Sequence, residues 1–378
     1  MTYIKQRQLL NLRDAVRPNN VVLIYGPRRV GKTTLIAEYL KSVSEPYLLV
    51  NGEDPSVRKI LSSDKISSLR SFVGNHKLFV IDEAQHIDNI GLNLKIMVDN
   101  IPNLKIIATG SSSFNLAQKV GAPLLGRATI LHLYPLAQLE IKEEENLAET
   151  HANLERRLIY GSYPSVITEE DNAVARSYLE QIVGSYLYKD VAELGEVRKP
   201  KTLTKLLELL AFQIGKEVSL TELGAQLELH KDTVAKYLYY LEESFVIYSL
   251  RGFSRNLRKE VSKQDKYYFY DIGIRNALIN NFNHISLRTD VGELWENYLF
   301  MERIKRGEYL GTRSNYYFWR TYDQKEIDLI EEREGKLFGY EFKYSSKKLP
   351  KAPKDWLGTY SNANYEVITP ENYLDFIT

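Results

Sequence analysis

Two stretches of this chain combine residue types and spacings suited to phosphate chemistry. Gly26-Pro27-Arg28-Arg29-Val30-Gly31-Lys32-Thr33, followed by Thr34, fits the pattern G-x-x-x-x-G-K-[ST]. In such a loop the glycines let backbone N–H groups turn inward onto phosphate oxygens, and the next helix presents its positive end to the anion. The spacing assigns Lys32 to the β- and γ-phosphates and the Thr33 hydroxyl to Mg²⁺. Arg28 and Arg29 belong to the loop and are assigned packing or loop electrostatics, not catalysis. The second stretch, Leu78-Phe79-Val80-Ile81-Asp82-Glu83, is an apolar run closed by two acids. A strand ending there offers Asp82 to Mg²⁺ or its water shell and Glu83 to an attacking water. Hydrolysis of ATP with Mg²⁺ is the expected chemistry.

A third stretch lies near the C-terminus. Glu326-Ile327-Asp328-Leu329-Ile330 and Leu337–Lys343 flank the polar segment EEREG, so a hairpin is predicted. Strand alternation puts Glu341 and Lys343 on one face, and Asp328 can share it. Two neighbouring carboxylates suit a hard divalent cation, and a lysine beside them can orient or deprotonate a water. Upstream, Gly292-Glu293-Leu294-Trp295-Glu296-Asn297 offers further acids on a predicted helix. The histidines form no ligand-spaced pair, so no zinc site is expected.

The elements that must position these residues are legible as pattern. Residues 21–25 (VVLIY) read as a buried parallel strand closed by Gly26-Pro27, and Tyr47–Val50, Leu78–Ile81, Leu104–Ala108 and Ile130–Leu133 as its companions. Amphipathic segments separate them, which predicts an α/β parallel sheet. From Asn153 to Leu194 the pattern is helical, broken at Gly161–Pro164. Ser219 then carries a helix-start signature with Glu222, opening a helix on which Leu223 and Leu227 share a face. Lys231–Glu243 reads as a second helix, with Val234, Leu238 and Leu241 inward, and Phe245–Leu250 as a strand. Helix, turn, helix and strand resemble a winged-helix domain, preceded by a helix over Leu203–Phe212. Its second helix would turn Lys231, Thr233, Lys236 and Tyr240 outward to DNA. Arg255, Arg258, Lys259 and Lys263 add a local basic patch.

These motifs together resemble known families. The segment GPRRVGKTTL and its partner acids are similar to bacterial and archaeal AAA-type ATPases. That resemblance implies a polar sensor after the strand at 104–108, Ser111 first and Thr109 second. It also implies an arginine, Arg127, facing a γ-phosphate either in cis or from a neighbour in trans. The order Glu296, Asp328, Glu341-Phe342-Lys343, with Gly292, Asn297 and Trp319-Arg320, resembles PD-(D/E)xK nuclease-like domains attached to such ATPases. The proline usual before the aspartate is replaced by Ile327. The resemblance implies Asp328, Glu341 and Glu296 as metal ligands and selects Glu296 over Glu293. The implied fold class is an α/β P-loop core over 1–150, a helical lid over 151–200, a winged helix over 201–275 and a restriction-endonuclease-like α/β domain over 276–378.

Composition bounds the function. The chain has 378 residues, 44% hydrophobic and 26% charged, enough for about two to four domains. A formal charge of +1 supplies no global field for nucleic acid, so any basic surface must be local. The lack of cysteine excludes disulfides and thiolate metal sites and fits a reducing cytoplasm. Neither a leader nor a membrane span is expected. Two readings stand: an ATPase controlling a DNA-directed, Mg²⁺-dependent nuclease module, or a signalling or scaffold ATPase with a silent nuclease-like domain. A homo-oligomeric ring, if Arg127 acts in trans, and a monomeric switch both stay open.

Overall fold

The computed structural model describes residues 3–111, 124–187, 200–254, 264–321, 325–345, 347, 349–360 and 362–378. The expected basic residues Arg255, Arg258, Lys259 and Lys263 lie outside the described residues.

Strands β1 (Asn20–Tyr25), β2 (Tyr47–Asn51), β3 (Leu78–Asp82), β4 (Lys105–Gly110) and β5 (Ala128–His132) form a five-stranded, wholly parallel sheet in the order β2-β3-β4-β1-β5. Helices cover both faces, which is why β1 and β3 read as unbroken apolar runs. Val22 and Ile24 pack on one side with Leu35 and Ile36 of the helix Lys32–Leu40. Val21, Leu23 and Tyr25 pack on the other with Leu94 and Met97. β2 departs from the buried expectation: it is an edge strand, with Leu49 half exposed. The parallel topology brings Gly26, Asp82 and Ser111 to the same end of the sheet, at the C-terminal ends of β1, β3 and β4.

The helices Leu154–Tyr160, Pro164–Ile167 and Asn172–Gln181 follow, with the break where it is expected. Gly161 is required there: its φ is +75°, and a Cβ would stand 2.1 Å from the Asp271 carboxylate. Three further helices, Pro200–Phe212, Leu220–Leu227 and Lys231–Glu243, bury Leu223, Leu227, Val234, Leu238 and Leu241. Ser219 caps the second of these three, its hydroxyl accepting from the Glu222 N–H at 3.3 Å.

β6 (Ile247–Gly252) and β7 (Lys266–Phe269) pair antiparallel, as a wing would. They are not free-standing. β6 also pairs in parallel with β8 (Asn315–Arg320), and β9 (Glu326–Arg333), β10 (Lys336–Phe342) and β11 (Ala363–Ile368) complete a six-stranded sheet, β11-β10-β9-β8-β6-β7. The sheet thus runs across the expected boundary at 275/276, which spares β6 an unpaired edge. The β9–β10 turn is only Glu334-Gly335, with φ of +50° and +73°, the handedness two-residue hairpins need. β9 extends beyond Ile330 because Glu331, polar in sequence, is buried against Arg303 at 2.7 Å. The helix Val291–Leu310, roughly 30 Å long at 1.5 Å per residue, packs against this sheet through Leu294, Leu299 and Phe300.

Candidate active site

The loop at Gly26 is set by close packing. A Cβ on Gly26 would lie 1.9 Å from the Leu133 carbonyl oxygen, so only glycine lets the loop rest on the chain leaving β5. Gly31 has φ +97°, a left-handed conformation at the start of the helix Lys32–Leu40. Gln6 braces the loop by donating to the Val30 carbonyl at 2.9 Å. The buried Lys32 bends back, and its Nζ donates to the carbonyls of Gly26 and Pro27, both at 2.8 Å. The Arg29 guanidinium lies 5.7 Å from the Tyr178 ring centre, a packing contact. Pro27 and Arg28 face Phe245, Tyr270 and Asp271 from later in the chain.

Around the loop a chain of hydrogen bonds links the two acids. Thr33 Oγ1 donates to Asp82 Oδ2 at 2.7 Å, and Thr109 Oγ1 donates to Asp82 Oδ1 at 2.5 Å. Thr109 Oγ1 also accepts from the Glu83 N–H at 3.0 Å. Gln85 Nε2 bonds Glu83 Oε2 at 2.5 Å and Ser111 Oγ at 3.3 Å. Glu83 itself is left-handed, with φ 54° and ψ 45°, a conformation that costs a glutamate about 1–2 kcal/mol. Thr33 and Asp82 thus bring two hard oxygens together beside the phosphate loop, a donor set that fits Mg²⁺. Of the two sensor candidates, Thr109 touches Asp82 directly, and Ser111 reaches Glu83 only through Gln85. Gln85 lies outside every motif read from the sequence; its one signal there is its place two residues after Glu83.

Arg127 does not meet its in-cis expectation. Its carbonyl accepts from the Val21 N–H at 2.9 Å, so it stands where β1 begins. The phosphate loop starts where β1 ends, roughly 15 Å away at ~3.3 Å per residue. Its side chain pairs with Asp99 at 2.6 Å on the surface. A cleft of about 260 Å³ adjoins the loop, lined by Tyr3, Ile4, Arg29, Gly31, Thr34 and Pro164 among others.

At the C-terminal unit the structure gathers the expected acids. Tyr340 pairs with Leu329, which sets Glu341 across from Asp328. The Phe342 N–H donates to Asp328 Oδ2 at 2.7 Å, and Lys343 Nζ lies 2.6 Å from Glu341 Oε1. Burial, then the Glu341 charge, raises the Asp328 pKa to about 6. Burial likewise raises Glu296 to about 7, with Lys266 opposing. Burial alone would lower Lys343, but the bonded Glu341 and nearby Asp328 outweigh it and hold the ammonium above its ordinary value. Of the two roles expected for Lys343, orienting a water uses the ammonium that Glu341 favours, whereas deprotonating one needs the neutral amine. Asp328, Glu341 and Glu296, expected as metal ligands, each have a hydrogen-bond or ionic partner within the chain. Among the described residues no group of three or more acids or histidines is placed to hold a metal ion. A cation from outside the motif enters the cluster. Lys266 Nζ lies 3.3 Å from Glu296 Oε1 and 2.5 Å from Glu326 Oε1.

The expected DNA-facing residues divide. Lys231 and Lys236 are exposed and Thr233 is half-buried, but Tyr240 is buried, with Lys236 Nζ 5.6 Å from its ring centre. Tyr240 lies three residues after Tyr237 on the packed side of the helix, and Tyr239 takes the outer position.

Known proteins match this chain over most of its length. Residues 18–142 match the AAA domain model AAA_14, and residues 151–284 and 291–372 match two domains of unknown function, DUF8612 and DUF4143. An uncharacterized protein of Mycobacterium tuberculosis is 28% identical over 338 residues, 89% of this chain and 73% of that protein. An uncharacterized protein of Methanocaldococcus jannaschii is 24% identical over 377 residues, 93% of this chain and 82% of that protein. Among solved structures, the Thermotoga maritima RuvB Holliday junction branch migration motor overlays 68% of this chain and 91% of its own, at 18% identity and TM-score 0.31. A STAND protein with a tetratricopeptide repeat sensor from Pyrococcus horikoshii overlays 80% of this chain and 46% of its own, at 16% identity and TM-score 0.29. Residues 18–142 are thus similar to AAA domains. No helix among the described residues is long and apolar enough to cross a membrane.

Proposed function

We propose that this chain binds ATP with Mg²⁺ at the Gly26–Thr34 loop and hydrolyses it. The observation that carries the reading is the 2.7 Å approach of Thr33 to Asp82 at the mouth of that loop. Thr33 and Asp82 would hold Mg²⁺, which when bound offsets the charge of the β- and γ-phosphates. Lys32 exchanges the carbonyls of Gly26 and Pro27 for phosphate oxygens. Glu83, oriented by Gln85, polarises the attacking water, and Thr109 keeps Asp82 in place. Ser111 supports this arrangement through Gln85. The cleft beside Tyr3 and Ile4 receives the base.

The cycle has a physical route to the rest of the chain. The segment after β5, on which Gly26 rests, is tied to the helix Val291–Leu310. The Gln138 N–H donates to Glu302 at 2.6 Å, Lys305 to the Leu136 carbonyl at 3.3 Å, and the Tyr134 N–H to the Tyr309 hydroxyl at 3.1 Å. That helix also carries Glu296. We read the chain as an ATP-driven switch whose output surface includes the helix Lys231–Glu243, with DNA contacted through Lys231, Thr233 and Lys236. Metal-dependent cleavage at the C-terminal acids is not part of this reading, in which Lys266 and Lys343 pair with Glu296 and Glu341.

Lys32→Ala tests the nucleotide assignment. It removes the charge that meets the β- and γ-phosphates, so titration with a fluorescent ATP analogue should show binding lost while the melting profile stays cooperative. Wild-type affinity in this variant would rule the site out.

A further inference from the structure

We infer that Lys266 is the resident cation of the C-terminal acidic cluster, standing in for the metal a nuclease-like site would hold, so that the cluster takes up no divalent ion. Lys266 opens β7, and its side chain is 3% exposed. Its stem runs past Phe318, with Nζ 5.3 Å from the ring centre, and its ammonium bridges Glu296 and Glu326. Other acceptors of the cluster are engaged as well. Glu296 Oε1 also takes the Tyr268 hydroxyl at 2.6 Å, Asp328 Oδ2 takes the Phe342 N–H, and Glu341 Oε1 takes Lys343. Glu341 Oε2 is buried with no hydrogen-bond partner among the described residues. A divalent ion would have to displace these contacts to take Glu296 Oε1, Asp328 Oδ2 or Glu341 Oε1 as ligands.

Charge points the same way. Lys266 meets Glu296 and Glu326, Lys343 meets Glu341, and Arg320 divides itself between Glu217 at 3.0 Å and Glu326 at 3.8 Å. Three of the four acids therefore touch a cation already, and Asp328 is held by a backbone N–H. A divalent ion among them would sit close to two ammonium groups, and like charges repel. The lysine also comes from elsewhere in the chain. It lies in the segment matching DUF8612, and Glu296, Asp328 and Glu341 lie in the segment matching DUF4143. The ionic network therefore joins the two units, a use of these acids that needs no metal.

Mn²⁺ titration of the nucleotide-free full chain, followed by electron paramagnetic resonance, tests this. Wild type and Asp328→Asn should take up Mn²⁺ identically, because Asp328 binds none. Lys266→Met should tighten Mn²⁺ uptake about tenfold or more, the equivalent of about 1.4 kcal/mol. Adding Asp328→Asn to Lys266→Met should abolish that gain. Wild-type Mn²⁺ binding that weakens in Asp328→Asn would overturn the inference. So would a folded Lys266→Met chain with no new affinity. If Lys266→Met fails to melt cooperatively, the comparison of wild type with Asp328→Asn decides alone. Nucleotide is absent throughout, so the result does not depend on ATP hydrolysis.

Discussion

A glutamate that is nearly enclosed shows how single residues set this molecule's response to pH. Glu296 is an ordinary surface-type acid by sequence, yet burial raises its pKa from 4.5 to about 7 in spite of Lys266. Folding then favours the protonated form. The stabilising contribution is complete below pH 4.5 and is lost as pH rises through about 7. Asp328, raised to about 6, acts in the same direction. Glu296→Gln removes one of these groups, so its urea stability should decline less than that of wild type between about pH 5 and pH 8. Parallel pH profiles for the two proteins would show that Glu296 is not perturbed. Residue chemistry is partly open to sequence reading. Asp82 and Glu83 declare themselves by following an apolar run, whereas Lys266 precedes Tyr-Tyr-Phe with no local sign that it is buried. Its role depends on which strand lies next to β6.

Elements are where pattern and structure agree best, and the exceptions have clear causes. Buried parallel strands announce themselves through runs such as 21–25, and the Gly161–Pro164 break through its glycine and proline. Arg127 is an exception because a linear motif carries no sense of which end of a strand it occupies. In a parallel sheet the residue before β5 lies at the end remote from the loop after β1. Tyr240 is an exception by one position around a helix, where about 100° separates neighbours. The strand expected over Phe245–Leu250 forms as β6, but its partner β7 is not expected from the sequence, and the membership of both in the C-terminal sheet rests on long-range pairing with β8. For the helix Lys231–Glu243, the outer face bears Lys231 and Lys236 together with Asp232. Removing two phosphate contacts with Lys231→Ala and Lys236→Ala should weaken DNA binding across sequences. It should also reduce the log–log salt slope by about one unit per lysine. Affinity and slope equal to wild type would leave this face to protein partners.

Across the whole molecule, one connected path runs from the phosphate loop to the C-terminal sheet. Leu133 lies against Gly26, the segment that follows is bonded to Glu302, Lys305 and Tyr309, and the same helix presents Glu296 to Lys266. Asn297 on that helix bonds both the N–H and the carbonyl of Phe269, fixing it to β7. A rearrangement at the loop would thus be felt by rigid, buried contacts and not by a flexible tether. All of this depends on the P-loop domain turning over ATP. The direct measurement is phosphate release from ATP and Mg²⁺ by the purified full chain, compared with Glu83→Gln. Wild type should release phosphate, and Glu83→Gln should bind ATP with unchanged affinity but turn it over about 10²–10⁴-fold more slowly, as loss of a general base does. Equal turnover in the two proteins would contradict the account.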